Sequence, residues 1–222
     1  MCKNYHVLLI DDRPMMLYGL KAVFTSNNSK QFEVDITTSY YDAWSTIIDN
    51  KREMLQYDLV IVDVDILTNT DIVQKSYDYY LRQIKERQPN CKFIAILRKM
   101  DNYKIHRILK SIKPAAFLLE NELSIELLYE VLTKIERYED VYSKSIMAVI
   151  YNEGFWYEGI DEIDREILYN LKKGIKTNSL PKYIPRSLSS IEKRKQRMKE
   201  VLVIDNCSDE KLIVEASRLG II

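Results

Sequence analysis

A chain of 222 residues with 46% apolar side chains has room for one large domain or two small ones around a packed core, which excludes disorder, collagen-like repeats and low complexity. Its 33 basic and 33 acidic residues cancel, but unevenly: Lys172 to Lys199 carry ten basic residues against the one acid Glu192, whereas residues 1–150 balance at 20 against 21. Three far-apart cysteines (Cys2, Cys91, Cys207) and two histidines (His6, His106) exclude a disulfide framework and a zinc or histidine metal cluster. No run approaches the roughly 18 apolar residues of a membrane helix, and the opening Met-Cys-Lys-Asn-Tyr-His lacks the apolar stretch of a secretory signal. A soluble, cytoplasmic protein without membrane contact is expected.

His6 to Ile10 is a short apolar run of buried-strand length that ends in Asp11-Asp12. Pro14 opens a helical stretch with Met15, Leu17, Leu20, Val23 and Phe24 near helical spacing, broken by Ser26-Asn-Asn-Ser29. A strand at Phe32–Thr37, a helix at Tyr40–Asn50, a buried strand at Leu59–Val62 and a helix from Asp71 to Gln88, stopped by Pro89, follow. Next come a strand at Phe93–Leu97, a short helix at Lys104–Ile112, a strand at Ala115–Leu119 and a helix from Ser124 to about Asp140.

Alternating strands and helices imply right-handed crossovers and a five-stranded, doubly wound parallel sheet over residues 1–140. Ligands of such sheets bind beyond the carboxyl ends of the strands, where Asp11, Asp12 and Asp63 fall. Residues 141–159, including Phe155-Trp156-Tyr157, lack clear periodicity and read as a linker, with Trp156 as a packing anchor between domains. Residues 160–222 hold only helical segments: Asp161–Lys173 before Gly174, Asn178–Ile184, Ser187 to about Leu202, and Ser208–Leu219 before Gly220. A unit of that size is small but viable.

Converging carboxylates repel one another unless a hard divalent cation such as Mg²⁺ neutralises them. An aspartate beside such a cation can attack a phosphoryl donor, and Asp63, directly after its strand, is the candidate nucleophile. Singly, each aspartate is equally a strand-end or helix-capping residue. Val7-Leu-Leu-Ile-Asp-Asp-Arg-Pro-Met15 and Tyr57-Asp-Leu-Val-Ile-Val-Asp63 together resemble the first and third strands of bacterial receiver domains, whose fold is flavodoxin-like. The resemblance covers residues 5 to 135. It implies that Asp11 and Asp12 hold Mg²⁺ with Asp63, that Asp63 accepts the phosphoryl group, and that the Asp65 carbonyl completes the protein ligands.

Two positions depart from that pattern. Arg98 stands after the fourth strand where receivers carry a Ser or Thr, and Glu120 stands after the fifth where they carry a Lys. The switch hydroxyl is absent, and a carboxylate repels a phosphoryl oxygen. Conventional phosphorylation switching is therefore expected to be impaired, with Arg98 supplying positive charge, pairing with Glu120, or lying on a solvated surface. Asp63-Val-Asp65 also resembles the paired aspartates of haloacid-dehalogenase-type phosphatases, but that reading leaves Asp11-Asp12 and the helical unit unexplained.

On a helical wheel, Leu188, Ile191, Lys195, Met198 and Leu202 share one side of the Ser187–Leu202 helix. This is its buried stripe, with Lys195 snorkelling at the edge. Such a helix packed against a preceding one forms a helix-turn-helix. Ile163-Asp-Arg-Glu-Ile-Leu168, Gly174, Ser187-Leu-Ser-Ser-Ile191 and Ala216-Ser-Arg-Leu-Gly-Ile-Ile222 resemble the LuxR-type DNA-binding domain. A receiver followed by that domain is the arrangement of NarL/FixJ-type two-component response regulators.

The resemblance implies base contacts from Glu192, Lys193 and Gln196, and phosphate contacts from Lys182, Arg186, Ser190, Arg194, Arg197 and Lys199. It further implies pairing through Leu212, Ile213, Ala216 and Leu219, which are otherwise buried in their own domain. The expected protein is a non-enzymatic transcription regulator that binds double-stranded DNA as a homodimer and takes its signal from a sensor histidine kinase. The alternative is a phosphorylation-independent regulator whose receiver is a dimerisation module.

Overall fold

Val7 to Ile10 and Leu59 to Val62 are 7% exposed or less, and a strand apolar on both faces needs a helical layer on each side. The computed structural model describes residues 4–26, 31–48, 56–66, 77–152, 156–204 and 208–222. Its strands β1 (Asn4–Ile10), β2 (Gln31–Thr37), β3 (Leu59–Asp63), β4 (Lys92–Leu97), β5 (Ala116–Leu119) and β6 (Val141–Tyr142) form one parallel sheet in the order β2-β1-β3-β4-β5-β6. Helices α1 (Pro14–Thr25), α2 (Tyr40–Ile48), α3 (Tyr77–Arg87), α4 (Asn102–Ser111) and α5 (Ile125–Glu136) connect them. The expected start of α3 at Asp71 lies outside the described residues.

The register of β1 against β3 pairs Ile10 with Val62, so the residues that follow, Asp11 and Asp63, leave neighbouring strands side by side. Leu17, Leu20 and Phe24 of α1 and Leu128, Val131 and Ile135 of α5 pack on one sheet face with Val7, Leu9, Ile61 and Ile96. That packing fixes the sheet edge on which the carboxylates stand.

The expected linker is partly structured. Val141 and Tyr142 pair with Ala116 and Phe117 as a sixth strand, and the Ser143 hydroxyl accepts the Leu119 N–H at 3.0 Å. Helix α6 (Lys144–Ile150) follows directly. Two strand residues carry no readable periodicity, which is why the sequence pattern yields five strands and a linker. The chain divides into two units, Met1–Met100 with Ile108–Ile146 and Asp101–Arg107 with Met147–Ile222. Trp156 is 49% exposed, and its indole N–H donates to the Ile150 carbonyl at 3.1 Å within the second unit.

In that second unit, α7 (Glu162–Lys172) begins with a capping box: the Asp161 carboxylate accepts the Asp164 N–H at 2.9 Å and the Asp164 carboxylate accepts the Asp161 N–H at 3.0 Å. Gly174, at φ +83°, takes the left-handed conformation just beyond the helix. A 3₁₀ turn (Thr177–Lys182) containing Pro181 replaces the expected helix from Asn178. Helices α8 (Leu188–Val201) and α9 (Asp209–Arg218) complete the unit, around Ile167, Leu168, Leu180, Ile191, Met198 and Leu212. Leu212 and Ala216 are fully buried in this core. No helix among the described residues is long and apolar enough to cross a membrane.

The stripe of α8 differs from the wheel at two places. Leu188 is 39% exposed, and Lys195 is only 6% exposed. The Lys195 ammonium does not snorkel to water; it donates to Asp209 at 2.9 Å and to the Thr177 hydroxyl at 2.8 Å. Burial of its stem and an ion pair at its tip tie α8 to the 3₁₀ turn and to α9. In urea unfolding, Lys195→Ala is expected to cost about 2–3 kcal/mol, because it removes both stem packing and charge-assisted hydrogen bonds. Lys195→Met keeps the stem and is expected to cost less, about 1.5 kcal/mol or under, because Asp209, whose side chain is 37% exposed, keeps its hydration when the ammonium is removed.

Candidate functional site

Two clusters carry chemistry, one in each unit. At the carboxyl edge of the sheet, Asp11 (3% exposed) follows β1 and Asp63 (1% exposed) closes β3. Asp11, Asp12 and Asp63 each offer one oxygen within 4.8 Å of the others. The Tyr40 hydroxyl, at the start of α2, donates to the Asp63 carbonyl at 2.5 Å. The Asp65 N–H donates to Asp63 Oδ1 at 2.7 Å. These contacts hold Asp63 rigidly from two sides.

Two arginines occupy the space between the carboxylates. Arg98 donates from Nε to Asp63 Oδ2 at 2.5 Å and from Nη2 to Asp63 and Asp12, while its backbone N–H is fixed on Asp65 Oδ2 at 2.8 Å. Arg13 donates from its backbone N–H and Nε to Asp11 Oδ1 at 2.8 and 3.0 Å, and from Nη2 to Asp11 Oδ2 at 3.0 Å. Its Nη1 bridges both oxygens of Glu120 at 2.7 and 2.9 Å, and Nη2 reaches Asp63 Oδ2 at 3.3 Å. The Glu120 partner is thus Arg13; Arg98, expected as one candidate for that pairing, faces the aspartates.

Burial, with the Asp11 charge behind it, pushes the Asp63 carboxyl up to about 6 against the Asp65 N–H and Arg98, which pull it down. Hydrogen bonding to Asp11, and then to Glu120, raises the Arg13 guanidinium. Arg98 is drawn down by burial but raised overall by Asp63 and Asp12. Sequence reasoning named Arg98 and missed Arg13. Its one signal was position: a long cation directly after the Asp pair can reach back over both strand ends.

A receiver cleft implies Mg²⁺, and three carboxylate oxygens are the donors that ion prefers. They do not fit it in this arrangement. Both lone pairs of Asp11 Oδ1 are taken by Arg13, and Asp63 Oδ2 accepts from both arginines. A divalent ion placed there also meets two guanidinium charges at close range.

In the helical unit, Ser187 caps α8 by accepting the Ser190 N–H at 3.3 Å. With Ile191, Lys195 and Met198 turned inward, Glu192, Lys193 and Gln196 stand exposed on α8, and Lys182 and Arg186 are exposed ahead of it. Ser190 and Lys199 are half-buried. Arg194 and Arg197 are drawn toward α7 instead. Arg194 donates to Asp161 at 2.7 Å and to Asp164 at 2.8 Å, and Arg197 pairs with the second Asp164 oxygen. Asp164 is fully buried. Burial pushes its carboxyl up; Asp161, which burial pushes the same way, is held below the ordinary range by Arg194. The resemblance assigns both arginines to phosphates; their acidic partners lie about 30 positions away and leave no local sign beside them.

No protein-family profile matches the chain, and no curated protein matches it. Among solved structures, it is similar to RcsB from Salmonella enterica serovar Typhimurium bound to promoter rprA in the presence of the phosphomimetic BeF₃⁻, at 17% identity, 97% coverage of this chain and 99% of that one, and a TM-score of 0.62. RcsB bound to promoter P1flhDC gives 14% identity, 97% and 100% coverage, and 0.61. The isolated REC domain of the same protein gives 15% identity, 66% and 98% coverage, and 0.52. The fold is that of a response regulator. Both the receiver-like sheet and the helical unit of this fold are present along the chain, in the order expected from the sequence.

Asp164 joins the cap of α7 to the orientation of α8. Asp164→Ala removes one half of the capping box and the anchor of two arginines, and is expected to lower the stability of the helical unit by about 2 kcal/mol. Thermal unfolding followed by circular dichroism measures it, with Arg197→Ala, which leaves the cap and the Arg194 pair in place, expected to cost under half as much.

Proposed function

We propose that this protein is a DNA-binding transcription regulator of the response-regulator type, acting as a homodimer on duplex DNA. The observation that carries the reading is the two-sided character of α8: Ile191, Lys195 and Met198 are buried, while Glu192, Lys193 and Gln196 face outward from a helix capped at its N-terminus. A helix so mounted fits the major groove. Lys193 binds guanine, Gln196 adenine and Glu192 a cytosine amino group, while Lys182, Arg186, Ser190 and Lys199 position the phosphate backbone. Arg194 and Arg197 contribute less than the other cations, because a phosphate approaching them also approaches Asp164. The domain limits proposed are 1–140 for the receiver and 160–222 for the DNA-binding unit. The RcsB structures bound to promoter DNA support this reading by likeness of fold.

In the receiver, Asp63 as phosphoacceptor with Asp11, Asp12, Asp63 and Asp65 as the Mg²⁺ set requires a cleft from which Arg98 and Arg13 have withdrawn, and switching is impaired by Arg98 and Glu120. Kinase-derived phosphorylation reaches Asp63 only when the arginines leave it. The second reading, a regulator that works without phosphate through receiver pairing, is favoured by Arg98 resting on Asp63. Enzymatic turnover is not proposed.

Fluorescence anisotropy on duplexes selected from a random pool tests the DNA reading across about 50–200 mM salt, where each phosphate contact adds about one unit to the slope of log K against log salt. Lys193→Ala and Gln196→Ala are expected to lose about 1–3 kcal/mol of discrimination at one base position each. Lys182→Ala is expected to flatten the slope by about one unit, and Arg194→Ala by clearly less. Selection that enriches no sequence, with no retention at the lowest salt, refutes the proposal.

A further inference from the structure

Arg98 and Glu120 depart from the receiver pattern separately in sequence, yet they belong to one arrangement in space. Arg98 follows β4 with its backbone N–H held by Asp65, so its guanidinium starts from a fixed point and lands on Asp63 and Asp12. Glu120 follows β5 and grips Arg13 with both oxygens, which keeps the second guanidinium against Asp11 and Asp63. One substitution supplies a cation, and the other supplies the anchor for a second. Arg13 cannot swing out without giving up both Glu120 oxygens and leaving Asp11 with the longer Arg98 contact at 3.7 Å.

We propose that Arg98 and Arg13 are the resident cations of the receiver cleft, so that the cleft keeps its arrangement without a divalent ion and Asp63 is shielded from phosphodonors. Three buried or half-buried carboxylates are met by two guanidinium groups in place of one metal ion. The difference is kinetic as well as electrostatic. A metal exchanges with solvent, whereas these cations are part of the chain and are present at every concentration of Mg²⁺. Asp63 Oδ2, the oxygen that accepts from both arginines, is the less accessible nucleophile of the pair; Oδ1 accepts the Asp65 N–H. Neither oxygen is presented to an incoming phosphorus atom in this arrangement, because the Asp63 side chain has no solvent exposure and Arg98 lies against Oδ2. This inference deepens the receiver half of the proposed function and is independent of whether α8 binds DNA.

Isothermal titration of the full chain with MgCl₂ tests it, together with intact-mass measurement after incubation with Mg²⁺ and acetyl phosphate. Wild type is expected to show no saturable Mg²⁺ binding in the low-millimolar range, no change in melting temperature with Mg²⁺ or chelator, and no phosphoryl adduct. Arg98→Ser is expected to bind Mg²⁺ at least about tenfold more tightly than wild type and to gain one phosphoryl group, lost again in Arg98→Ser with Asp63→Asn. Saturable Mg²⁺ binding or Asp63 phosphorylation in wild type overturns the proposal, as does a folded Arg98→Ser that binds no better than wild type. If Arg98→Ser does not fold, Arg13→Ala serves in its place with the same expected direction, and the wild-type measurements decide alone if neither variant folds. None of these readouts involves DNA, so a failed DNA reading and a failed cleft reading remain separate results.

Discussion

Two carboxylates almost without solvent access, Asp11 and Asp63, stand side by side because the β1–β3 register leaves them no other place. Buried like charges must be compensated or neutralised, and much else at the sheet edge follows from that requirement. The strands cannot shift relative to one another without moving a side chain to the opposite face. The compensation therefore has to come to the carboxylates, from the ends of β4 and β5 and the start of α1. In this chain it comes as arginine. The guanidinium suits the task because it presents several donors in a planar fork and stays charged under any ordinary condition.

The helical unit solves a related problem with the signs reversed. A helix as basic as α8 repels itself unless part of its charge is met by carboxylates, and the N-terminus of α7 has two. Asp161 and Asp164 cap their own helix and receive Arg194 and Arg197; Asp209, at the start of α9, receives Lys195. Three of the ten cations between Lys172 and Lys199 thus face carboxylates outside that segment. The local charge excess seen in sequence overstates what the surface offers to a polyanion, and the remaining cations, on α8 and ahead of it, define the face that can meet one.

Much of this was legible in the sequence, for physical reasons. Continuous apolar runs such as Leu59–Val62 mark strands buried on both faces, and their abrupt acidic ends mark the ligand edge of an α/β sheet. Capping residues Ser124, Asp161, Ser187 and Ser208 lie one residue ahead of their helices, because backbone N–H groups at helix starts need acceptors close in sequence. What was not legible depends on partners distant in sequence. Val141-Tyr142 is a strand only because β5 has an open edge. Arg13 is a cleft residue only because Glu120, 107 positions away, folds beside it. Lys195 reads in sequence as snorkelling from the edge of the buried stripe, and only Thr177 and Asp209, distant along the chain, show that its ammonium stays inside.

If the sheet unit is the signalling receiver proposed above, its arginine-filled cleft also limits how it can transmit a signal. A ligand moves a conformational equilibrium only by the difference in its affinity for the two states. A phosphoryl group that has no access to Asp63 has no such difference to contribute, however much donor is present. On the proposed reading, control then passes to interactions that do not use the cleft, chiefly association of whole chains, whose extent follows concentration by mass action. On that account the receiver fold is kept for its surface and its rigidity, with the ion network at its edge serving as a fixed part of the core in place of a switch.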